Sequence, residues 1–206
     1  NPLFVDAELG RSEALFQMDR TDAAVEVLSA LVRDYPAIAS VHTALGDVLR
    51  RLERYAGAVT AYSDALDLVD RSRERTWFLY YARGISYDNL EQWEEAEADF
   101  RAALELSPGQ PNVLNYLGYS LVEQRRNLDE ALDMIERAVT ARPTSGYIVD
   151  SLGWVFYRLG RYEEAVDPME RAVELLPNDS IVNDHLGDVY WMVGREREAR
   201  FQWSRA

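Results

Sequence analysis

A glycine recurs at nearly constant spacing along this chain of 206 residues, and this period constrains the fold more than any other feature. Gly46, Gly84, Gly118, Gly153 and Gly187 are separated by 38, 34, 35 and 34 residues. Periods of about 20–50 residues are typical of chains in which one supersecondary element is repeated and packs only against its neighbours. The sequence therefore predicts an array of similar elements.

Each repeat has the pattern of two amphipathic helices followed by a turn. Apolar residues in the first half of a repeat recur at i, i+3, i+4 and i+7, which is one face of a helix. In the third repeat the small residues Gly84, Ala96 and Ala103 fall where two helix axes must approach closely. Proline-containing turn signals, such as those at Pro108 and Pro177, separate the repeats. The fold class is therefore predicted to be all-α.

The recurring frame resembles the tetratricopeptide repeat over about residues 5–206. The resemblance implies a right-handed α-α superhelix, or solenoid, of six helix-turn-helix units forming a single array over residues 1–206. The repeats are expected at approximately 5–38, 39–72, 77–110, 111–145, 146–179 and 180–206. The third repeat carries the frame in Tyr80, Gly84, Tyr87, Ala96, Phe100, Ala103 and Pro108.

Three departures from the period are expected to change the structure locally. About four extra residues near Arg71–Glu74 separate repeats two and three, and they are predicted to lengthen a helix. One extra residue near Arg126-Asn127 is expected to loosen the turn of repeat four. Pro168 falls inside the second helix of repeat five, where it removes a backbone hydrogen bond and is expected to bend the helix on its outer side.

One face of each first helix is a candidate binding surface. Residues at i−6, i−3, i+1 and i+4 from the glycine point away from the partner helix, and the resemblance implies that they line a concave groove. In repeat two these positions are Ser40, Thr43, Asp47 and Arg50, without a ring. Over repeats three to six the face is rich in rings, although packing between neighbouring first helices stays open as the alternative. The candidate partner-binding residues are Phe78, Tyr81, Asn112, Asn115, Tyr119, Tyr147, Asp150, Trp154, Tyr157, Asp184, Asp188 and Trp191.

This face predicts a protein-interaction scaffold or adaptor that holds an extended protein segment. Because the chain has no lysine, and because Asp150, Asp184 and Asp188 repel carboxylates, the expected ligand has apolar and basic side chains. Trp154→Ala is expected to weaken binding while leaving the fold intact. Two alternatives remain: a carbohydrate-binding module, and a structural array that self-associates through an uncapped last repeat around Tyr190 and Trp203.

Composition argues against several other functions. The net charge of −14 would repel nucleic acid, and no apolar stretch approaches the ~18 residues of a membrane span. Without cysteine or lysine, thiol and Schiff-base chemistry have no residue. His42 occupies a packing position, and His185 beside Asp184 and Asp188 is a weak metal signal. We expect no catalytic activity, no metal and no cofactor.

The later repeats also resemble tetratricopeptide proteins of Gram-negative bacteria, often exported lipoproteins, in Trp77-Phe78, Leu152-Gly153-Trp154 and His185-Leu186-Gly187-Asp188. This resemblance implies the bacterial periplasm or envelope, with the cytoplasm as the alternative. The chain begins Asn1-Pro2, without methionine or signal peptide, so a mature form and an excised fragment both remain open.

Overall fold

The computed structural model describes residues 2–206, and within them it contains helices, turns and loops but no strand. Helices occur in pairs, one pair within each predicted repeat. Their bounds are α1 (Pro2–Gln17), α2 (Thr21–Asp34), α3 (Ala39–Arg51), α4 (Tyr55–Leu68), α5 (Trp77–Asn89), α6 (Trp93–Leu106), α7 (Pro111–Glu123), α8 (Leu128–Ala141), α9 (Gly146–Arg158), α10 (Tyr162–Leu175), α11 (Ser180–Met192) and α12 (Glu196–Trp203).

The contacts of the chain divide it into two compact units. The N-terminal unit is Asn1–Pro108 and the C-terminal unit is Gly109–Ala206. Inside each unit every helix packs on the next one along the chain, and the first helices of successive repeats also touch. A first helix therefore has neighbours on two sides, its own partner and the first helix of the adjacent repeat. This arrangement decides which side chains of its face stay accessible.

The repeated glycines lie where two helices of a pair come closest. A Cβ atom on Gly84 would be 2.7 Å from Cε1 of Phe100, and one on Gly153 would be 2.5 Å from Cγ of Met169. Phe100 and Met169 are both fully buried. The large residue of the second helix thus fills the space that the glycine leaves, as the sequence pattern predicts.

A common turn joins the two helices of each repeat. In repeat two, Glu53 is in the left-handed region at φ 58°, and the N–H of Arg54 donates to the carbonyl of Leu49 at 2.8 Å. This is the Schellman arrangement, which satisfies the last carbonyl groups of the first helix. In repeat four the extra residue lies in this turn, where Asn127 adds a second left-handed residue before α8. The left-handed residues at the common position are Asp19, Glu53, Glu91, Arg125, Gly160 and Gly194.

The insertion near Arg71–Glu74 does not lengthen a helix, so that prediction was wrong. Helix α4 ends at Leu68, and a loop with a short 3-10 turn over Glu74–Thr76 leads into α5. The carboxylate of Asp70 accepts the N–H and the hydroxyl of Ser72 at 3.1 and 2.7 Å. The hydroxyl of Thr76 donates to the carbonyl of Asp70 at 3.1 Å. These local bonds offer the backbone an alternative to helix.

Pro168 does not interrupt the second helix of repeat five. Helix α10 is continuous from Tyr162 to Leu175, with Pro168 inside it and half-buried. The proline lacks the N–H that would bond to the carbonyl of Glu164, but the preceding and following turns keep their helical form.

Candidate functional site

The predicted face is clearest on α11, the first helix of repeat six. Asp184 is exposed and Asp188 is half-buried, while Trp191 is 44% exposed. Ile181, at the first position of the stripe, is also exposed. Four positions of one helix therefore form an accessible stripe with one indole, one aliphatic side chain and two carboxylates. The residues between them are buried: Val182, Asn183, His185, Leu186, Val189 and Tyr190.

The carboxylates of this stripe differ in their surroundings. Asp188 accepts a hydrogen bond from the indole N–H of Trp203 at 3.2 Å, and the rings of Trp191 and Trp203 lie 5.6 Å apart. Burial raises the pKa of Asp188, and the nearby charge of Asp184 raises it further. Asp184 itself has no hydrogen-bond or ion-pair partner within residues 2–206. It is the free negative charge of the stripe.

On α9 two of the aromatic residues stack on one another. The rings of Trp154 and Tyr157 are 4.9 Å apart and nearly parallel, at 8°. Tyr162 meets Tyr157 edge-on at 5.4 Å. Trp154 and Tyr157 are half-buried, whereas Tyr147 is exposed and donates its hydroxyl to Asp179 at 3.2 Å.

Asp150 does not expose a carboxylate, in contrast to the expectation from the sequence. Asp150 is only 5% exposed. Its two carboxylate oxygens lie 3.1 and 3.0 Å from Nδ1 of His185. His185 is buried too, and its ring stacks on Trp154 at 4.1 Å and 15°. The reason is that α11 packs on α9 and covers this position. Asp150 therefore orients a buried histidine and is not open to a ligand.

Trp154 also makes a hydrogen bond to a residue of repeat four. Its indole N–H donates to Oε1 of Glu123 at 2.6 Å, and the guanidinium of Arg158 donates to the same oxygen at 2.9 Å. Trp154 also packs against the apolar core of repeats five and six. Its ring thus contributes to packing between repeats and not only to an accessible surface.

We therefore expect Trp154→Ala to destabilise the C-terminal unit, contrary to the expectation that the fold would stay intact. The change removes the stack on His185, the stack on Tyr157 and the bond to Glu123. A loss of about 2–3 kcal/mol in the free energy of unfolding is expected, below the cost for a fully buried tryptophan. Urea unfolding followed by circular dichroism measures it, and an unchanged midpoint would contradict the packing role.

On α7, two polar groups lack an internal partner. The side-chain oxygen of Asn115 is buried and accepts no hydrogen bond from any residue between 2 and 206. The hydroxyl of Tyr119 likewise has no partner in that range. Burial, with the charges of Glu123 and Asp150, raises the pKa of Tyr119 to about 12, so the hydroxyl stays protonated at neutral pH. By contrast, the oxygen of Asn112 accepts from Arg142 at 3.0 Å.

The last repeat exposes a different apolar surface from the predicted one. Tyr190 is buried, its hydroxyl donates to Glu170 at 2.8 Å, and the guanidinium of Arg195 lies 3.9 Å from its ring centroid. Trp203 is half-buried. The expectation that Tyr190 is left uncovered was therefore wrong. The exposed large apolar residues of this repeat are Ile181, Trp191, Met192 and Phe201.

In the N-terminal unit, both predicted rings of repeat three lie on α5. Phe78 is 41% exposed. Tyr81 is half-buried, with its ring 6.0 Å from that of Trp77 and 6.2 Å from that of Phe100. Phe78 is therefore accessible to a ligand. Tyr81 packs against the core on one side and is only partly accessible.

A cavity of about 760 Å³ lies beside Phe78, and the sequence did not predict it. Its walls include Ser40, Thr43 and Asp47, which are three of the four face positions of repeat two. The opposite wall is the inserted loop between α4 and α5, including its 3-10 turn. Its sign in the sequence is the spacing of 38 residues between Gly46 and Gly84, which shows an insertion but not the conformation of the added residues.

No metal centre is apparent in the part of the chain that the structure describes. Residues 2–206 contain no group of three or more histidine, aspartate or glutamate side chains placed to hold an ion. His42 is buried in the core, as predicted, and its Nε2 lies 2.9 Å from the carbonyl oxygen of Pro36. Over the same residues, no helix combines the length and the apolar character that crossing a bilayer requires.

Comparison with known families identifies the class of protein. Tetratricopeptide repeat families match residues 9–72, 81–146 and 148–176, which is more than half of the chain. The chain belongs to the tetratricopeptide repeat family, as the sequence pattern predicts. Proteins of this family are generally protein-interaction scaffolds.

Two curated relatives come from Gram-negative bacteria. A TPR repeat-containing protein of Pseudomonas aeruginosa is 27% identical over 159 residues, which cover 77% of this chain and 26% of the relative. A homolog of the lipoprotein NlpI from Haemophilus influenzae is 34% identical over 105 residues, covering 50% of this chain and 33% of the relative. The matched region thus spans only about a quarter to a third of each relative.

Solved structures confirm the fold class. A tetratricopeptide repeat protein from Parabacteroides merdae has a TM-score of 0.78 at 20% identity, over 96% of this chain and 76% of that one. YrrB, described as a TPR protein with an unusual peptide-binding site, has a TM-score of 0.66 at 21% identity, over 88% and 91% of the two chains.

Proposed function

We propose that this protein is an adaptor that binds an extended segment of another protein on the faces of its first helices. The observation that carries the proposal is the occurrence of accessible rings and unpartnered polar groups on the same faces of the first helices. In the C-terminal unit these polar groups are the protonated hydroxyl of Tyr119 and the exposed carboxylate of Asp184. They are a donor and an anion.

An extended polypeptide supplies the complement of each group. Every residue of such a segment other than proline brings one N–H donor and one carbonyl acceptor, and both would otherwise lose hydrogen bonds on binding. Its apolar side chains pack against accessible rings such as Trp191, which give a large contact area at low entropic cost. A basic side chain of the bound segment can pair with the carboxylate of Asp184, so this unit is expected to prefer segments that contain both apolar and basic residues. YrrB, similar in fold, is described as having a peptide-binding site, which supports the proposal.

The carbohydrate alternative is less well supported by the geometry. Stacking on a sugar needs a flat ring face open to solvent. Trp154 already stacks on His185 and Tyr157, so the largest ring of α9 is engaged within the chain. Trp191 remains accessible, but one exposed ring also suits an apolar side chain of a protein.

A matched pair of double variants tests the adaptor function. Asp184→Arg with Trp191→Ser changes the accessible stripe of α11. Asp167→Arg with Phe201→Ser makes the same substitutions at exposed positions of the second helices α10 and α12. We expect the native chain and the second-helix variant to retain a common protein from extracts of the source organism. The α11 variant is expected to bind that purified protein at least about tenfold more weakly, the effect of losing a binding hot spot.

The controls separate the proposal from its rivals. Both variants must show the circular dichroism spectrum and unfolding midpoint of the native chain. Equal binding by the two variants would contradict a role for this face. Specific retention of glycans that free sugar displaces, without any protein, would favour the carbohydrate alternative. A sedimentation coefficient of the native chain that rises with its concentration, in the absence of any ligand, would favour the self-associating array.

We further propose the bacterial envelope as the place where this adaptor acts. The relative from Haemophilus influenzae is named as a lipoprotein homolog, and this supports the proposal. Fractionation of the source organism tests it, with the protein expected in the periplasmic or membrane-associated fraction. Recovery from the cytoplasm would instead support the alternative.

A further inference from the structure

The cavity beside the inserted loop has the properties of an anchor site. Its volume of about 760 Å³ lies within the range of roughly 300–1,000 Å³ in which binding pockets enclose ligands. Apolar side chains from three elements line it, namely Ala44 of α3, Leu68 at the end of α4 and Phe78 of α5. Leu68 and Phe78 are both partly exposed to solvent, which is unfavourable for large apolar groups unless something covers them.

Most charges at the cavity already have polar or oppositely charged neighbours. Asp47 accepts a hydrogen bond from the hydroxyl of Tyr62 at 2.7 Å and attracts the guanidinium of Arg50. Nε of Arg73 lies 3.4 Å from the carboxylate of Asp70. Arg75, which also lines the cavity, has no hydrogen-bond or ion-pair partner among residues 2–206. The cavity therefore combines an apolar lining with one free guanidinium group at its loop wall.

We propose that this cavity anchors a bulky apolar side chain of the bound protein segment, with an acidic residue next to it that pairs with Arg75. This inference rests on the proposed adaptor function and adds a charge preference for the N-terminal unit. The planar guanidinium of arginine suits a carboxylate because it can donate two parallel hydrogen bonds. The preference differs from that of the C-terminal unit, where the free charge is the carboxylate of Asp184.

The insertion is what creates this site. The loop between Leu68 and Trp77 supplies one wall of the cavity and carries both Arg73 and Arg75. Its bonds from Ser72 and Thr76 to Asp70 hold the loop in a defined conformation. A repeat junction without the extra residues would lack this wall and the free cation together.

Two pairs of matched variants test the anchor. Ser40→Trp places an indole in the cavity from an exposed position of α3, and Ser29→Trp makes the same change at an exposed position of α2. Arg75→Ala removes the free guanidinium, and Arg20→Ala removes an exposed arginine that does not line the cavity. Circular dichroism and unfolding midpoints establish that all four variants are folded.

The probe is a phage-displayed library of short random peptides, selected on the immobilised native chain. We expect enriched peptides with a large apolar residue beside an aspartate or glutamate. Such peptides, synthesised with a fluorophore, should bind Ser40→Trp at least about tenfold more weakly than Ser29→Trp. They should bind Arg75→Ala about three- to fivefold more weakly than Arg20→Ala, and replacing their acid with its amide should abolish that difference.

Each other outcome overturns the inference in a recognisable way. Selected peptides that bind Ser40→Trp and Ser29→Trp equally would overturn the anchor site and leave the adaptor function standing. Peptides that lose affinity with Ser40→Trp but carry no acid, and that ignore Arg75→Ala, would overturn the charge preference. A selection that enriches no peptide over an empty support would count against the anchor and the adaptor function together.

Discussion

Gly153→Leu is expected to lower the free energy of unfolding of the C-terminal unit by about 3 kcal/mol, the upper end of the usual cost of overpacking a core. A Cβ at this position would stand 2.5 Å from Cγ and 2.9 Å from Cε of Met169. Met169 is fully buried and lies in the core of repeats five and six, so it has no free space to move into. The helices α9 and α10 must separate to accept the leucine.

Gly10→Leu is the matched control for this change. Gly10 lies inside α1, exposed, and a Cβ there would meet no atom within 4 Å. Because leucine favours helix over glycine by up to about 1 kcal/mol, this variant is expected to be as stable as the native chain or slightly more stable. Urea unfolding followed by circular dichroism compares the two. Similar midpoints would show that close approach of α9 and α10 does not require the glycine.

Asp99→Ala is expected to destabilise the N-terminal unit by about 3 kcal/mol, the lower end of the cost for a buried pair, because it leaves the largely buried Arg83 without its counter-ion. The side chains of Arg83 and Asp99 are 18% and 8% exposed. The guanidinium donates to both carboxylate oxygens, at 2.7 and 2.8 Å, and to the hydroxyl of Ser63 at 3.0 Å. This group therefore connects α4, α5 and α6.

The pKa of Asp99 supports the same interpretation. Burial raises the pKa of Asp99, and the bonds from Arg83 oppose this without cancelling it. Since the folded pKa lies above the unfolded one, ionisation of this carboxyl favours unfolding as the pH rises through its pKa. Burial lowers the pKa of Arg83, but its bonds to Asp99 outweigh this and raise it, so the charged guanidinium depends on this carboxylate. The large effect of Asp99→Ala therefore comes from the charge that remains on Arg83.

A second substitution distinguishes this explanation from simple loss of packing. The double variant Asp99→Ala with Arg83→Leu removes both charges and is expected to be more stable than Asp99→Ala alone. Asp184→Ala, which removes an exposed carboxylate, should change the free energy of unfolding by no more than about 0.5 kcal/mol. A double variant no more stable than Asp99→Ala would contradict the role of the unpaired charge.

The sequence predicts the helix pairs well because the period of the glycines reports a steric requirement within each pair. Gly84 and Phe100 illustrate this, since the small residue and the large one must face each other whatever surrounds them. The angular position of a residue on its helix follows from the same period. These features depend on local spacing alone, and the structure agrees with them.

Accessibility of the candidate face does not follow from local spacing. Asp150 and Asp184 occupy the same position, three residues before the glycine of their repeats. Asp184 is exposed, but Asp150 is buried against His185 because α11 covers α9. Helical periodicity describes a residue relative to its own helix, whereas burial of this face depends on the next repeat.

The inserted loop was predicted wrongly for a different reason. A break in the period shows that residues have been added but does not show what conformation they take. The carboxylate of Asp70 accepts bonds from Ser72 in the loop, and this local turn competes with extension of α4. The cavity that results, with Arg75 in its wall, requires the folded position of the loop and could not be derived from the repeat pattern.

The central claim is that a protein segment binds to the first-helix faces, and hydroxyl-radical footprinting of the native chain with a captured or selected ligand tests it most directly. Phe78 and Trp191 lie on these faces and are exposed, while Met18 and Phe201 are exposed elsewhere. We predict that saturating ligand slows oxidation of Phe78 or Trp191, according to the unit that it binds, and leaves Met18 and Phe201 unchanged. Slower oxidation of Met18 or Phe201, with Phe78 and Trp191 oxidised at their original rates, would contradict the claim.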